Sequence, residues 1–398
     1  MNIMTIAIKG GKPTRNSRIP YGKQYIDEYD IQAVNDVLKS PYLTTGPKVK
    51  EFEKKLCELT GAKFAVVLSN GTAALHAACY AAGIKIGDEV ITSPMTFAAS
   101  ANCILYCGGT PLFADIDPDT WNIDPKEIEK KVTHKTKAII AVDFTGQAAP
   151  LGEIKEICVK HNLILIEDAA HSIGTKYKGV PVGGIADLTT FSFHPVKTIT
   201  CGEGGAILTN SEESYKKMEL FRSHGITRDP KQMAQTPFIG YNEQWELGYN
   251  YRMTDFQAAL GISQIEKLGM FSARRNEIVR QYNEAFSKSP QLTIQKEIPE
   301  SETTRHLYII RVKTSSLNAS RDEILRALNA ENVGVQVHYI PVYYHPYYQS
   351  LGYKKGLCPI AEALYEEIIS IPLYFSLTDD DVESVIEAVS KVIHAYRD

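Results

Sequence analysis

The chain has 398 residues, of which 44% are hydrophobic and 23% charged, and its 43 basic and 47 acidic side chains give a net charge of −4. This composition is typical of a soluble globular protein with more than one core, and the lack of any block of like charge argues against nucleic acid or an anionic membrane as a partner. The sequence has no apolar run of the roughly 18 residues that span a bilayer, no secretory signal and no CxxC pair among its seven cysteines. We therefore expect a cytoplasmic protein with reduced thiols and no metal site.

Through the first two-thirds of the sequence, short apolar runs alternate with segments of helical period. The runs are, in chain order, FAVVLS (64–69), DEVITS (88–93), TPLFADI (110–116), KAIIAVD (137–143), NLILIED (162–168) and TTFSF (189–193). An alanine-rich segment that ends at Gly83 and the stretch 97–107 are predicted helices. Strands that are apolar throughout and separated by helices indicate an α/β fold with a mostly parallel sheet covered on both faces.

From about residue 254 the pattern changes to long helices, TDFQAALGISQIEKL (254–268) and SARRNEIVRQYNEAF (272–286). They are followed by RHLYIIRV (305–312), a helix over 320–331, the run GVQVHYI (334–340) and a closing helix over 378–396. This order predicts a smaller α+β domain. We place a large domain at 1–265, whose N-terminal segment contributes to the substrate site, and a small domain at 266–398.

Open α/β sheets bind ligands at the carboxyl ends of their strands, so the residues directly after each predicted strand are candidates for a site. Asn70, Gly71, Thr72 and Ala73 begin a helix directly after the first strand. Such a helix start offers unpaired backbone N–H groups to an anion, and Thr72 adds a hydroxyl donor. Simple capping of the helix by Ser69 or Asn70 is an equally good interpretation of these residues alone.

Asp168 ends the fifth run, and Lys197 lies in a glycine-flanked turn after the sixth. A carboxylate at that position could bind magnesium, cap a following helix, or pair with a protonated heterocyclic nitrogen. A lysine at a strand end, near an anion site and a buried carboxylate, suits a Schiff base with pyridoxal 5′-phosphate. Taken alone, an ordinary ion pair explains Lys197 as well, but the three elements in this order favour the cofactor site.

These motifs resemble the sugar-nucleotide aminotransferases of the DegT/DnrJ/StrS type, a family of fold-type I pyridoxal phosphate enzymes. The resemblance extends over essentially the whole chain. It is carried by SNGTAAL, GDEVITSPMTFAASANCI, IEDAAHSIG, FSFHPVKTITCGEGGAI, FRSHG and GYNYRMTDFQAALGISQI. It implies the aspartate aminotransferase-like fold, a large domain with a mostly parallel sheet plus a smaller α+β C-terminal domain.

The resemblance also implies roles for single residues. Lys197 would join the cofactor aldehyde and later move the proton, and Asp168 would pair with the pyridine nitrogen. The remaining cofactor-binding positions are Gly71, Thr72, Ala73 and Ser192 around the phosphate, Phe97 on the ring face, His171 near the phenolic oxygen, and Asn250. Asn250 is expected to reach the active site of a second subunit, with Arg252 nearby, which makes a homodimer with shared active sites the expected assembly.

The substrate-facing positions implied by the family are Tyr21, Tyr42, Leu43, Thr44, Asn250, Gln336, Val337, His338 and Tyr339. Within the family the sequence is most similar to the branch that aminates C4 of UDP-2-acetamido-2,6-dideoxy-β-L-arabino-hexos-4-ulose in pseudaminic acid biosynthesis. The expected amino donor is L-glutamate. Close alternatives are the enzymes that make GDP-perosamine and UDP-4-amino-4-deoxy-L-arabinose.

Functions from other classes are less well supported by the residues. A 3-dehydratase on the same fold replaces the Schiff-base lysine with histidine, whereas Lys197 is present here. A non-catalytic regulator on the fold does not need an intact lysine, aspartate and phosphate turn. A nicotinamide-dependent sugar dehydrogenase would carry a GxGxxG motif after a strand, and this sequence has none.

Overall fold

The structure, a computed structural model, describes residues 5–234, 238 and 240–397. Its α-helices are α1 Glu28–Leu38, α2 Pro47–Thr60, α3 Gly71–Ala81, α4 Ala99–Tyr106, α5 Pro125–Lys131, α6 Leu151–His161, α7 Glu212–Arg222, α8 Asp255–Ile265, α9 Leu268–Phe286, α10 Arg321–Ala330, α11 Pro346–Ser350, α12 Pro359–Tyr365 and α13 Asp379–Ala395. Its strands are β1 Phe64–Leu68, β2 Glu89–Thr92, β3 Thr110–Phe113, β4 Thr136–Val142, β5 Ile164–Asp168, β6 Lys176–Tyr177, β7 Val180–Pro181, β8 Leu188–Ser192, β9 Gly205–Thr209, β10 Ile226–Thr227, β11 Glu243–Gln244, β12 Leu292–Ile294, β13 Ser301–Glu302, β14 Tyr308–Val312 and β15 Ile368–Ile371.

The largest sheet has seven strands in the order β1-β9-β8-β5-β4-β2-β3. The five strands from β8 to β3 run parallel, and β9 is antiparallel to both of its neighbours, β1 and β8. The predicted mostly parallel α/β sheet is therefore confirmed. The lysine turn connects two strands that pair directly, since β8 and β9 are neighbours.

Both faces of this sheet are buried, which explains why its strands are apolar at successive positions. Along β1, Ala65 and Val67 pack into one core cluster, while Val66 and Leu68 pack into another on the opposite face. Because side chains of a strand alternate between faces, each face receives every second residue and must be covered by helices. The helices α3 and α4 contribute to the second cluster, and each begins a few residues after a strand of the sheet ends, α3 after β1 and α4 after β2.

The C-terminal part of the chain forms a three-stranded antiparallel sheet in the order β12-β14-β15. The run GVQVHYI does not form a strand of it. Gln336 makes only an isolated bridge to Ser370, and β15, which the sequence pattern did not reveal, pairs with β14 instead. The segment around Gln336 is thus left at the edge of this sheet, where its side chains can face another part of the molecule.

A third core cluster joins α9, α10, α13 and the small sheet, and it includes Ile6 and Ile19 from the N-terminal segment. The predicted boundary at residue 265 falls between α8 and α9, and the division into two domains stays a prediction. Among the described residues, no helix has both the length and the apolar character needed to cross a membrane.

Candidate active site

A cavity of about 710 Å³ opens at the carboxyl ends of β1, β5 and β8. It is where the sheet topology predicts a ligand, because the loops that leave these strands converge there. Eleven of the residues proposed from the sequence line it: Tyr21, Gly71, Thr72, Ala73, Phe97, Asp168, His171, Ser192, Lys197, His338 and Tyr339. The structure therefore brings together residues that are more than 300 positions apart in the chain.

One end of the cavity is the start of α3, where a ligand can approach the backbone closely. A Cβ atom on Gly71 would lie 2.9 Å from the Cβ of Ser192 and 3.0 Å from its Oγ, so only glycine fits beside this serine. Asn70 caps the helix, because its Oδ1 accepts a 2.8 Å hydrogen bond from the Ala73 N–H. The cap occupies the Ala73 amide, and this leaves the amides of Gly71 and Thr72 and the Ser192 hydroxyl for an anion.

Asp168 lines the cavity and has only 5% of its surface exposed. Its Oδ2 accepts a 2.6 Å hydrogen bond from the Ser100 hydroxyl, and its Oδ1 accepts one of 3.2 Å from the Ala170 N–H. Burial raises the pKa of Asp168, and the two donors and the charge of Lys197 act against this rise. A cation that reached this carboxylate would be held strongly, since a buried charge needs a partner.

The structure removes one of the alternatives that the sequence left open for Asp168. Residues 169–211, all of which the structure describes, contain no helix, so Asp168 does not cap one. The described residues also contain no cluster of three histidine, cysteine or acidic side chains arranged to hold a metal ion.

Lys197 lies in the turn between β8 and β9, which is closed by main-chain hydrogen bonds. Its N–H donates to the His194 carbonyl at 2.9 Å, and the Cys201 N–H donates to the Phe193 carbonyl at 3.0 Å. Burial lowers the pKa of the Lys197 ammonium to about 8, although the nearby Asp168 carboxylate acts in the opposite direction. At a pKa of about 8, roughly a tenth of the amine is uncharged at pH 7, and the uncharged form is the one that a nucleophile or a base requires.

His171 also lines the cavity and is 6% exposed. Its Nε2 lies 3.1 Å from the Tyr339 hydroxyl, and its ring lies against that of His306 with centroids 4.4 Å apart. Burial, and after it the positive charge of Lys197, holds the pKa of His171 well below its ordinary value. His171 is therefore a neutral imidazole in this site.

Aromatic and imidazole rings form another part of the cavity wall. Phe97 is 63% exposed and faces Tyr339 with ring centroids 6.4 Å apart. Tyr21 approaches His338 with centroids 5.6 Å apart, and the Nδ1 of His338 lies 2.8 Å from the Ser370 hydroxyl. Burial lowers the pKa of His338 to about 4, so it too is neutral near pH 7. This wall offers ring faces and neutral hydrogen-bonding groups to a ligand.

Six proposed residues do not line the cavity of the single chain: Tyr42, Leu43, Thr44, Asn250, Gln336 and Val337. Tyr42, Leu43, Thr44 and Asn250 are exposed, and their segments lie on the surface beside α7 and α8. Gln336 is exposed and Val337 is partly buried beside His338. The roles proposed for these six residues stay predictions.

Sequence reasoning missed several residues of the site, of which Ser100 is the most informative. Its hydroxyl binds Asp168 and lies 2.6 Å from the Thr96 hydroxyl. The sequence did contain a signal for Ser100. Ser100 and Thr96 are four residues apart, on either side of Phe97, where the predicted helix after β2 begins. Other residues that line the cavity and were not predicted include Tyr106, Thr190, Glu203 and Tyr251.

A lysine with a lowered pKa, a buried carboxylate and a helix start, all lining one cavity at the carboxyl edge of an α/β sheet, are the parts of a pyridoxal phosphate-dependent transferase. Comparison with known proteins leads to the same class of enzyme. The model of the DegT/DnrJ/EryC1/StrS aminotransferase family matches residues 24–390. The chain belongs to this family of sugar aminotransferases.

Two sequence relatives match this chain over nearly their whole length. The spore coat polysaccharide biosynthesis protein SpsC of Bacillus subtilis is 42% identical over 381 residues, 95% of this chain and 98% of the relative. The UDP-4-amino-4,6-dideoxy-N-acetyl-beta-L-altrosamine transaminase of Campylobacter jejuni (strain 81-176) is 40% identical over 378 residues, 94% of this chain and 97% of the relative.

Two solved structures are also similar. PseC of Helicobacter pylori, an aminotransferase of pseudaminic acid biosynthesis, has a TM-score of 0.89 at 33% identity, with 96% of this chain and 100% of that chain covered. The putative sugar aminotransferase Spr1654 of Streptococcus pneumoniae, in its PLP-form, has a TM-score of 0.89 at 33% identity, with 95% and 99% covered. The predicted aspartate aminotransferase-like fold is confirmed by these matches.

Proposed function

We propose that this enzyme transfers the amino group of L-glutamate to C4 of a UDP-linked 4-keto-6-deoxy sugar, UDP-2-acetamido-2,6-dideoxy-β-L-arabino-hexos-4-ulose. The observation that carries the proposal is a single cavity lined both by Lys197, Asp168 and the start of α3 and by Tyr21, His338 and Tyr339. The first group suits a cofactor and the second a sugar. The name of the Campylobacter jejuni relative supports the choice of sugar.

The residues present fit pyridoxal 5′-phosphate. The close approach of Gly71 to Ser192 leaves a cradle beside the first amides of α3 that suits a phosphate. Asp168 would pair with the pyridine nitrogen, with Ser100 holding the carboxylate in place, and Phe97 would cover one ring face. When bound, the cofactor supplies a ring that can accept an electron pair from a carbon next to nitrogen.

Lys197 would carry out the proton transfers of the reaction. Its uncharged amine would remove the proton from the Cα of the bound amino donor and would later give that proton up again, so that the side chain would serve first as a base and then as an acid. The lowered pKa makes the amine available as a base near neutral pH. The neutral His171 and His338 add no positive charge that would repel the proton.

The second half of the cycle would deliver the amine to the sugar. We place the keto carbon next to Lys197 and the nucleotide along Tyr21 and His338, which line the same cavity. Ring faces stack on a sugar or a base, and neutral imidazole and phenol groups bond hydroxyls. A homodimer would complete this wall with Asn250 and the 42–44 segment of a partner, because these residues are exposed on the single chain.

Product analysis tests the sugar. The purified enzyme, pyridoxal 5′-phosphate and glutamate are incubated with the proposed UDP sugar, with the 4-keto precursor of GDP-perosamine and with that of UDP-4-amino-4-deoxy-L-arabinose. We expect mass spectrometry to show an amino sugar from the first only. Product from either of the others alone would assign the enzyme to that branch, and the Bacillus subtilis relative shows that other polysaccharide pathways use similar chains. No product at all, without any cofactor spectrum, would indicate a non-catalytic regulator.

A further inference from the structure

Two acidic side chains, Asp143 and Glu167, are buried against each other on the face of the large sheet that is turned away from the cavity. Glu167 precedes Asp168 in β5, and successive side chains of a strand point to opposite faces, so Glu167 packs behind the sheet while Asp168 lines the cavity. Asp143 directly follows β4, the parallel neighbour of β5, and the two carboxyl groups lie within hydrogen-bonding distance of each other. Both residues have 0% of their surface exposed.

The hydrogen-bond partners of this pair in the described residues are hydroxyl and main-chain N–H groups, not basic side chains. Asp143 accepts at one oxygen from the Ala149 N–H, at 2.8 Å, and at the other from the Ser172 hydroxyl. Glu167 accepts at its Oε2 from the Thr189 hydroxyl, at 2.8 Å, whereas its Oε1 has no partner within the part of the chain that the structure describes. Two negative charges in contact, without a cation or solvent, would be very unfavourable.

A single proton removes this conflict. When two carboxyl groups share a site, one of them keeps its proton and donates to the other. Both oxygens of Asp143 already accept from donors, so the proton belongs on the unpartnered Oε1 of Glu167, which then donates to Asp143. Burial raises the pKa of Glu167 well above its ordinary value, and the charge of Asp143 raises it further. Burial also raises the pKa of Asp143, and Asp168 is a further charged group that adds to that rise.

The hydrogen bond from Glu167 to Asp143 joins the ends of β4 and β5 directly behind Asp168. The Asp143 N–H also donates to the Asp168 carbonyl at 3.1 Å, so Asp143 contacts both the main chain of Asp168 and the side chain of Glu167. We propose that Glu167 and Asp143 hold one proton between them, with Glu167 as the acid, and that this bond positions Asp168 from the opposite face of the sheet. Neither residue lines the cavity, so both are positioning residues. The shared proton does not depend on the proposed function, whereas its effect on turnover does.

The first experiment detects the proton by infrared spectroscopy of the cofactor-free protein near pH 7. We expect the carbonyl stretch of a protonated carboxyl group, which moves to lower frequency when glutamate is labelled with ¹³C and is absent from Glu167→Gln. A band that the label does not move would place the proton on an aspartate, and one that persists in Glu167→Gln would place it on another glutamate. Either result, or no such band in the wild type, would overturn the proposal.

The second experiment measures the free energy of unfolding against pH for the wild type, Glu167→Gln and Glu284→Gln. A glutamate whose pKa is raised by folding stabilises the protein most below its unfolded pKa, and this stabilisation is lost as the pH rises through the folded pKa. From about pH 5 to 7, the folding equilibrium constant of the wild type should therefore fall, relative to that of Glu167→Gln, by up to roughly tenfold per pH unit. Glu284→Gln, whose glutamate side chain is 75% exposed on α9, should parallel the wild type. Three parallel curves would contradict a shared proton.

The third experiment tests the positioning of Asp168 by comparing two variants of Glu167. Glu167→Gln keeps a donor toward Asp143, because an amide N–H can replace the shared proton, and it should retain most of kcat. Glu167→Leu keeps the bulk but leaves Asp143 buried without that donor, so kcat should fall roughly tenfold while the KM for the sugar is unchanged. Wild-type kcat in Glu167→Leu, or an equal loss in both variants, would overturn the positioning role. If the wild type converts none of the candidate sugars, the proposed function fails, and the first two experiments still decide whether the pair holds its proton.

Discussion

Lys197 is the residue whose chemistry depends most on its surroundings. Burial in the turn between β8 and β9 lowers the pKa of its ammonium to about 8, and Asp168 limits the effect. The turn could be predicted because a glycine-flanked lysine between two apolar runs is unusual. The size of the pKa shift could not be predicted, since it depends on which side chains enclose the amine in three dimensions.

A first prediction concerns the pH dependence of cofactor attachment. Only the neutral amine can attack the cofactor aldehyde, so the rate of attachment should rise with pH around a midpoint of about 8, well below the 10.5 of an ordinary lysine. Stopped-flow absorbance after mixing the cofactor-free protein with pyridoxal 5′-phosphate measures this rate. Lys197→Ala should show no visible band and should yield no labelled peptide after borohydride reduction. A labelled peptide that lacked residue 197 would contradict the assignment.

A second prediction concerns Ser100, which donates to the buried carboxylate of Asp168. In Ser100→Ala the ionised form of Asp168 loses a donor, so the pKa of Asp168, already raised by burial, should rise further. Because the ionised form is the one proposed to pair with the cofactor's ring nitrogen, the acid limb of the rate profile should move to higher pH, and kcat should fall roughly tenfold.

The control for this variant is Ser384→Ala, which removes an exposed hydroxyl that bonds a main-chain carbonyl within α13. Rate profiles of kcat against pH for both variants make the comparison. A Ser100→Ala profile that coincides with that of Ser384→Ala would show that Ser100 does not support Asp168.

At the level of elements, the start of α3 holds a structural cap and also the proposed anion site. The sequence allowed either interpretation for Asn70 and its neighbours, and the structure shows that capping uses the Ala73 amide and leaves those of Gly71 and Thr72. The two interpretations are therefore compatible. The strands were predicted well because continuous apolar runs have few other structures available. The run GVQVHYI of the small domain forms no strand, and the sequence pattern could not show that β15 would be the strand that pairs with β14.

A third prediction separates the two functions of the α3 start. Asn70→Ala should reduce the free energy of unfolding by about 1 kcal/mol through loss of the cap, and it should also weaken cofactor binding because the first turn loses its fixed geometry. The control is Ser320→Ala, which removes the cap of α10. The Oγ of Ser320 accepts from the Glu323 N–H, and its loss should reduce the free energy of unfolding by a similar amount. Denaturant unfolding and cofactor titration measure the two effects. Equal cofactor affinity in both variants would show that the α3 start does not contact the phosphate.

At the scale of the whole molecule, one cavity collects residues from the sheet edge and from the C-terminal part of the chain, but it lacks Asn250 and the 42–44 segment. The sequence predicted these residues for the site through its resemblance to a family, and no periodicity within one chain could show which residues a second copy supplies. The family and the fold are confirmed, while the shared active site stays a prediction.

A fourth prediction tests the shared site by mixing two inactive variants, Lys197→Ala and Asn250→Ala. If Asn250 serves the partner's cavity, a mixed dimer has one cavity with both changes and one with neither. Random reassociation should then restore about a quarter of the wild-type activity. Recovery is measured after mild dissociation and remixing, with each variant treated alone as the control. No recovery from a mixture shown by native mass spectrometry to contain mixed dimers would place Asn250 in its own chain's site.

The N-terminal segment, finally, is fastened to the C-terminal part of the chain at several points. Glu331 accepts from the Ala7 and Thr14 N–H groups, the Ile19 carbonyl accepts from the Gly334 N–H, and the Tyr21 carbonyl accepts from the Leu373 N–H. Tyr21 is thus fastened to the C-terminal part of the chain, which also carries His338 and Tyr339. A change that loosened these fastenings would therefore withdraw the Tyr21 ring from the cavity, while Lys197 and Asp168 would keep their places beside the seven-stranded sheet.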